Sequence, residues 1–235
     1  MTTVAIIGAD GAGKTTVARR LPARLGVPAR YVYLGANPAS ATHALPTTRI
    51  VHRLRTRRGT AAAGGPPPLG RSLAPSHEGS VGARAVRSGR AAARTAHQIT
   101  EGAYQRTVIA WHRRRGRVVV VDRWYGADHH AHELAPGRHL ALSRRVRAAF
   151  IRRAFGAPDL VLLLDAPVEV LHARKGEGTL EELAQRRSEY VDYLATVPVG
   201  WRIDASSPLD DVLAEASAAI ERVVAPDSTV TRVAS

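Results

Sequence analysis

The chain has 235 residues, 45% of them hydrophobic, and a formal net charge of +14 at pH 7. That length suits one α/β domain with insertions and a proper buried core. The absence of cysteine excludes disulfides, iron–sulfur clusters and thiolate zinc sites, and the longest apolar runs, 118–121 (VVVV) and 160–164 (LVLLL), are far too short to span a bilayer.

Residues 3–7 (TVAII) are a β-branched run and predict a buried parallel strand. The next eight residues, GADGAGKT, fit the pattern G-x-x-x-x-G-K-[ST]. A helix is expected from Lys14, with Val17, Leu21 and Leu25 on one face and Pro22 as a kink. A glycine-rich loop between a strand and a helix can curl its N–H groups around a polyphosphate, with the helix N-terminus behind them. Lys14 would reach the β- and γ-phosphates of a nucleoside triphosphate, and the Thr15 hydroxyl would ligate Mg²⁺. The expected nucleotide-contacting set is Gly8, Asp10, Gly11, Ala12, Gly13, Lys14, Thr15 and Thr16. The competing reading is a glycine-rich turn that fits the pattern by accident.

Residues 29–34 (ARYVYL) read as a second strand. From about 36 to 90 an Arg/Gly/Pro-rich stretch interrupts the pattern and is expected to be a flexible insertion. A helical pattern returns at about 91–115, followed by a strand over 117–121 that ends at Asp122. Helices are expected at roughly 124–135 and 139–155, the second with Leu142, Val146, Ala149 and Phe150 on its packed face and Arg144, Arg145, Arg147 and Arg152 outside. Another buried strand covers 160–164 and ends at Asp165. Thr179-x-x-Glu182 is a capping box opening a helix with Leu183, Tyr190, Val191 and Leu194 on one face. Residues 201–204 form a last strand. Ser207-Pro208-x-Asp210 then starts a helix that turns Val212, Ala216, Ile220 and Val223 inward. Residues 226–235 read as a loose tail, leaving a single domain over 1–225.

Five buried strands alternating with helices predict a five-stranded parallel, doubly wound sheet with helices on both faces. Right-handed crossovers then put a ligand crevice at the carboxyl ends of the strands, where Gly8, Asp122 and Asp165 fall. An acid at the end of a buried strand is the expected place for a Mg²⁺-organising carboxylate, so Asp122 joins Thr15 as a metal-site residue. Arg123 beside it can grip a phosphate or carboxylate bidentately; otherwise the pair caps the next helix. Arg174 and Lys175, next to glycines between two helices, suit a lid over a triphosphate, with Arg186 and Arg187 assisting; otherwise they are a solvated basic turn.

The motifs GADGAGKTT, VVVDRWY and PDLVLLLDAPVEV together resemble the thymidylate kinase family of P-loop kinases, over about residues 1–34 and 90–224. The resemblance implies a P-loop NTPase fold and transfer of a phosphoryl group from MgATP to a small-molecule acceptor, dTMP in the family. It implies that Asp10 faces acceptor and metal, that Arg123 holds the acceptor's phosphate, and that the lid residues Arg174 and Lys175 act on the γ-phosphate. Lys14, Asp122, Arg123, Arg174 and Lys175 are the expected catalytic set. Donor-side features are kept and acceptor-side features are not. Leu34-Gly35-Ala36-Asn37-Pro38 stands where the family has Arg-Glu-Pro-Gly-Gly, Thr100-Glu101 where it has Asp-Arg, and Asp128-His129-His130 where it has Asn and Tyr.

His129, His130 and His132 are open to metal binding, acceptor contact or plain exposure; only His129/His132 and Asp128/His132 have helix-face spacing. The positive charge is either a solvated basic surface or a site for an anionic partner such as nucleic acid or acidic membrane. The expected location is cytoplasmic, a homodimer is left open, and an NTP-dependent switch or a kinase for a non-nucleotide metabolite are the alternative functions.

Overall fold

The computed structural model describes residues 2–34, 81–129, 149–150, 153, 155–176 and 178–224. Five strands make one sheet: β1 (Thr3–Ile7), β2 (Ala29–Tyr33), β3 (Val118–Asp122), β4 (Leu160–Asp165) and β5 (Gly200–Asp204). Their order is β2-β3-β1-β4-β5, and every pairing is parallel. The helices are α1 (Lys14–Arg20), α2 (Val81–Arg114), α3 (Tyr125–His129), α4 (Val168–Lys175), α5 (Leu180–Leu194) and α6 (Leu209–Val224).

The three central strands are apolar on both sides because both faces of the sheet are covered. Val4, Ile6, Val118, Val120, Leu160 and Leu162 pack with α1, α4 and α6. Ala5, Ile7, Val119, Val121, Val161 and Leu163 pack with α2, α3 and α5. Consecutive residues thus serve opposite cores, as the two-residue period of a strand requires. From β1 the chain runs toward one edge of the sheet and from β4 toward the other. The topological switch therefore lies between these neighbours, which puts the crevice at their carboxyl ends. Among the described residues, no helix is long and apolar enough to cross a membrane.

Several boundaries move. α1 stops at Arg20 and the chain tightens into a 3₁₀ turn, Leu21–Ala23, because Pro22 has no N–H to continue an α ladder. α2 begins at Val81, ten residues before the expected start, so 81–90 belongs to a helix and not to the insertion. Alanine and arginine are good helix formers, and they carry the segment despite its glycines. On α5 both bonds of the Thr179–Glu182 capping box are present, at 3.2 Å each. Its buried face uses Leu183, Tyr190 and Tyr193, while Val191 is exposed. On α6, Val212, Ala216 and Ile220 are buried as expected, with Leu213 and Ala219 beside them. The remainder of the insertion at 36–80, the faces assigned to 139–148 and the tail at 226–235 lie outside the described residues.

Candidate functional site

At the end of β1 the backbone turns through left-handed angles at Gly8 (φ 145°), Gly11 (φ 89°) and Gly13 (φ 80°). At the first two, space demands glycine as well: a Cβ on Gly8 would run into the Leu164 carbonyl oxygen, and one on Gly11 into that of Leu171. The loop is thus wedged between the end of β4 and the first turn of α4. Ala12 is buried and its N–H donates to the Ala9 carbonyl at 3.3 Å. Lys14 opens α1 and folds back, its Nζ donating to the Gly8 and Ala9 carbonyls at 2.7 Å each. Thr15 follows, and its hydroxyl donates to Asp122 Oδ2 at 2.7 Å, tying the loop to the end of β3. Thr16 is exposed on the first turn.

Asp122 continues the side of β3 carrying Val118 and Val120, which faces α1. It is fully buried, and Oδ2 also accepts the Tyr31 hydroxyl at 3.2 Å. Its Oδ1 is buried without a hydrogen-bond partner. An uncompensated carboxylate oxygen is costly in such a place, and a cation or a metal-bound water would satisfy it. Arg123 adopts φ 67°, a left-handed conformation that costs a non-glycine residue about 1–3 kcal/mol. Its N–H donates to the Ile6 carbonyl at 3.2 Å, and its guanidinium turns to Asp10, Nη2 to Oδ1 at 3.4 Å. The Arg123 Nε is buried without a partner.

Asp10 is the meeting point of four cations: Lys14 at 3.9 Å, Arg123 at 3.4 Å, Lys175 at 3.5 Å and Arg186 at 3.7 Å. Burial works to raise its pKa, but Lys14, Lys175, Arg123 and Arg186 together outweigh burial and hold it below the ordinary aspartate value. The long separations leave these cations gathered around the carboxylate without gripping it. Lys175 and Arg186 both join this group, although Arg186 was expected only to assist. Arg174 does otherwise: its Nη1 donates to the Ala205 carbonyl past β5, at 2.8 Å. Arg187 is bound bidentately to Asp165, at 2.6 and 2.9 Å, and Arg202 joins them on Oδ2. These arginine bonds overcome burial and lower the Asp165 pKa.

Burial pushes the Lys14 ammonium from 10.5 down to about 8, Arg123 adds to the shift, and Asp10, Asp128 and Asp122 oppose it. The unfolded chain holds this proton more tightly, so stability from this group rises as pH climbs from about 8 to 10.5. A polyphosphate seated on the loop would favour the charged form. If the ligand is ATP, its binding should then take up a proton above pH 8, with affinity falling by up to about tenfold per pH unit. Calorimetric titrations at pH 9 in two buffers of different ionisation enthalpy measure the uptake. Absence of uptake, with affinity constant from pH 7 to 9.5, would contradict this placement of Lys14.

On the other side of Arg123, Asp128 accepts the hydroxyl of buried Tyr190 at 2.8 Å, and Tyr125 donates to buried Gln105 at 2.9 Å. Burial, and then Asp128, raise the Tyr190 pKa well above 10 and keep the phenol a donor. The sequence put Tyr190 on the packed face of α5, but no signal gave it, Gln105 or Tyr31 a part in the site. The side chains of His129, His130 and His132 lie outside the described residues. Among the described residues, no group of three His, Cys, Asp or Glu side chains could by itself hold a metal ion.

The fold and site together define an α/β protein with an all-parallel five-stranded sheet and a cation-lined, glycine-rich loop at its switch point. No protein-family model matches the chain, and no curated protein matches it.

Proposed function

We propose that this chain is a P-loop kinase of the thymidylate kinase-like class, transferring the γ-phosphoryl group of MgATP to a small-molecule acceptor. The leading acceptor is a nucleoside monophosphate, with dTMP first. The observation that carries the reading is the hydrogen bond from Thr15 on the glycine-rich loop to Asp122 at the end of β3, beside the unpartnered Asp122 Oδ1. A strand-end carboxylate touching the loop's hydroxyl is the donor set of a Mg²⁺ held largely by phosphate oxygens and water.

The residues fit a bound MgATP. The N–H groups of the loop would cradle the phosphates, Lys14 would leave the Gly8 and Ala9 carbonyls for them, and Thr15 and Asp122 would hold the metal. Mg²⁺ supplies charge neutralisation between the phosphates. The chain's own part would be positioning and electrostatics: Lys14, Lys175 and Arg186, which converge on Asp10, would face the developing charge, and Arg123 would orient the acceptor. Arg174, whose Nη1 donates to the Ala205 carbonyl, stands apart from the cations gathered around Asp10. A cytoplasmic location accords with a substrate pair of this kind.

The reading is tested by acceptor-dependent ADP formation with both substrates varied. Arg123→Ala should raise the KM for a phosphorylated acceptor at least about tenfold, as loss of a charged hydrogen-bonded contact does, while the affinity for ATP stays within about twofold. Loss of ATP binding with unchanged acceptor KM would contradict the role given to Arg123.

A further inference from the structure

We propose that Tyr31 is a positioning residue for the metal site: its hydroxyl fixes the Asp122 carboxylate so that Oδ1 faces the divalent cation. The inference rests on the reading of Asp122 as the metal-organising carboxylate. Two donors converge on one oxygen, Thr15 from α1 at 2.7 Å and Tyr31 from β2 at 3.2 Å. The second oxygen is buried and bare, and the residue has no exposure to water. With Oδ2 bound from two sides, rotation of the carboxylate would break both bonds. Oδ1 therefore stays presented without a partner of its own.

The two donors are not equivalent. The Thr15 hydroxyl has one proton and two lone pairs, so it can donate to Asp122 and also offer an oxygen to a cation. Its orientation then depends on the cation. Tyr31 is anchored independently, because β2 pairs with β3 over Ala29–Val118 to Tyr33–Asp122. Arg19, one helical turn beyond Thr15, lies over the Tyr31 ring, 5.7 Å from its centroid. A phenol is an O–H donor at neutral pH, and Asp122 Oδ2 is its acceptor. Tyr31 thus orients Asp122 before any cation arrives, and its removal leaves the carboxylate to Thr15 alone.

The test is Tyr31→Phe, which keeps the ring and removes one hydroxyl. ATP binding by calorimetry is compared in Mg²⁺ and in EDTA, and Mn²⁺ binding to the protein–nucleotide complex is read by electron paramagnetic resonance. The expected result is a three- to tenfold loss of affinity in Mg²⁺ with weaker Mn²⁺ binding, about the worth of one hydrogen bond. Affinity in EDTA and the melting temperature should stay near wild type. Unchanged Mg²⁺ and Mn²⁺ binding, or an equal loss with and without metal, overturns the role of Tyr31. A wild-type chain that binds ATP no better in Mg²⁺ than in EDTA overturns the metal-site reading itself, and Tyr31 with it.

Discussion

Lys14→Ala is expected to lower phosphoryl transfer by about 10³-fold or more while leaving the protein folded. A single preorganised donor to developing charge is worth about 10²–10³ in rate, and in the proposed reading this lysine would also help seat the ground-state phosphates. The structural cost is small by comparison. In the structure, Nζ makes two hydrogen bonds to loop carbonyls and an ion pair to Asp10. Against these stands burial of a charge whose pKa is already pulled down to about 8. Removing the side chain leaves two carbonyls for water to reach and deletes a disfavoured charge, so the net change should stay within about 2 kcal/mol. Circular dichroism, a melting curve and a rate assay on the same preparation separate the two effects. An active Lys14→Ala protein would sink the site assignment; an unfolded one would show that the lysine holds the loop together.

Asp122→Asn is expected to cost about 10²–10³ in kcat and to weaken the Mg²⁺ dependence of ATP affinity. The neutral amide keeps the size of the carboxylate but cannot neutralise a divalent cation. The same change should leave the nucleotide-free protein as stable as wild type, or slightly more so. The buried carboxylate has one oxygen with no partner, and an amide places less charge in that spot. Thr15 and Tyr31 would still find an acceptor in the amide oxygen. Inactivity without destabilisation is the signature of a residue kept for ligand chemistry. A melting temperature lowered by ten degrees or more would point instead to a structural carboxylate.

Much of the fold was legible because the determining signals were local. The alternating strands and helices specified a parallel sheet, and TVAII, VVVVD and LVLLLD could only be buried on both sides. Thr179 and Glu182 announced the start of α5 through their reciprocal bonds. What failed was set by tertiary contact. Val191 and Tyr193 are both near the expected face of α5, yet only Tyr193 turns inward, against the core built around Trp124 and Ala127.

The candidate site divides the same way. Gly8, Lys14, Thr15 and Asp122 were found by motif and strand-end position, and the fold brings them together. Tyr31 could not be found so, since its role depends on β2 lying beside β3, which strand order alone decides. Arg174, Lys175, Arg186 and Arg187 are alike in sequence but part ways in space. Helix direction sends Lys175 and Arg186 to Asp10, Arg187 to Asp165, and Arg174 to Ala205.

The most direct measurement is ADP formation from MgATP across a panel of acceptors: dTMP, other nucleoside monophosphates, nucleosides and sugars. A no-acceptor blank and Lys14→Ala serve as controls. Strong stimulation by one acceptor class, nucleoside monophosphates first, is expected, with none in Lys14→Ala. Slow hydrolysis indifferent to every acceptor, or stimulation that survives Lys14→Ala, would contradict the kinase reading.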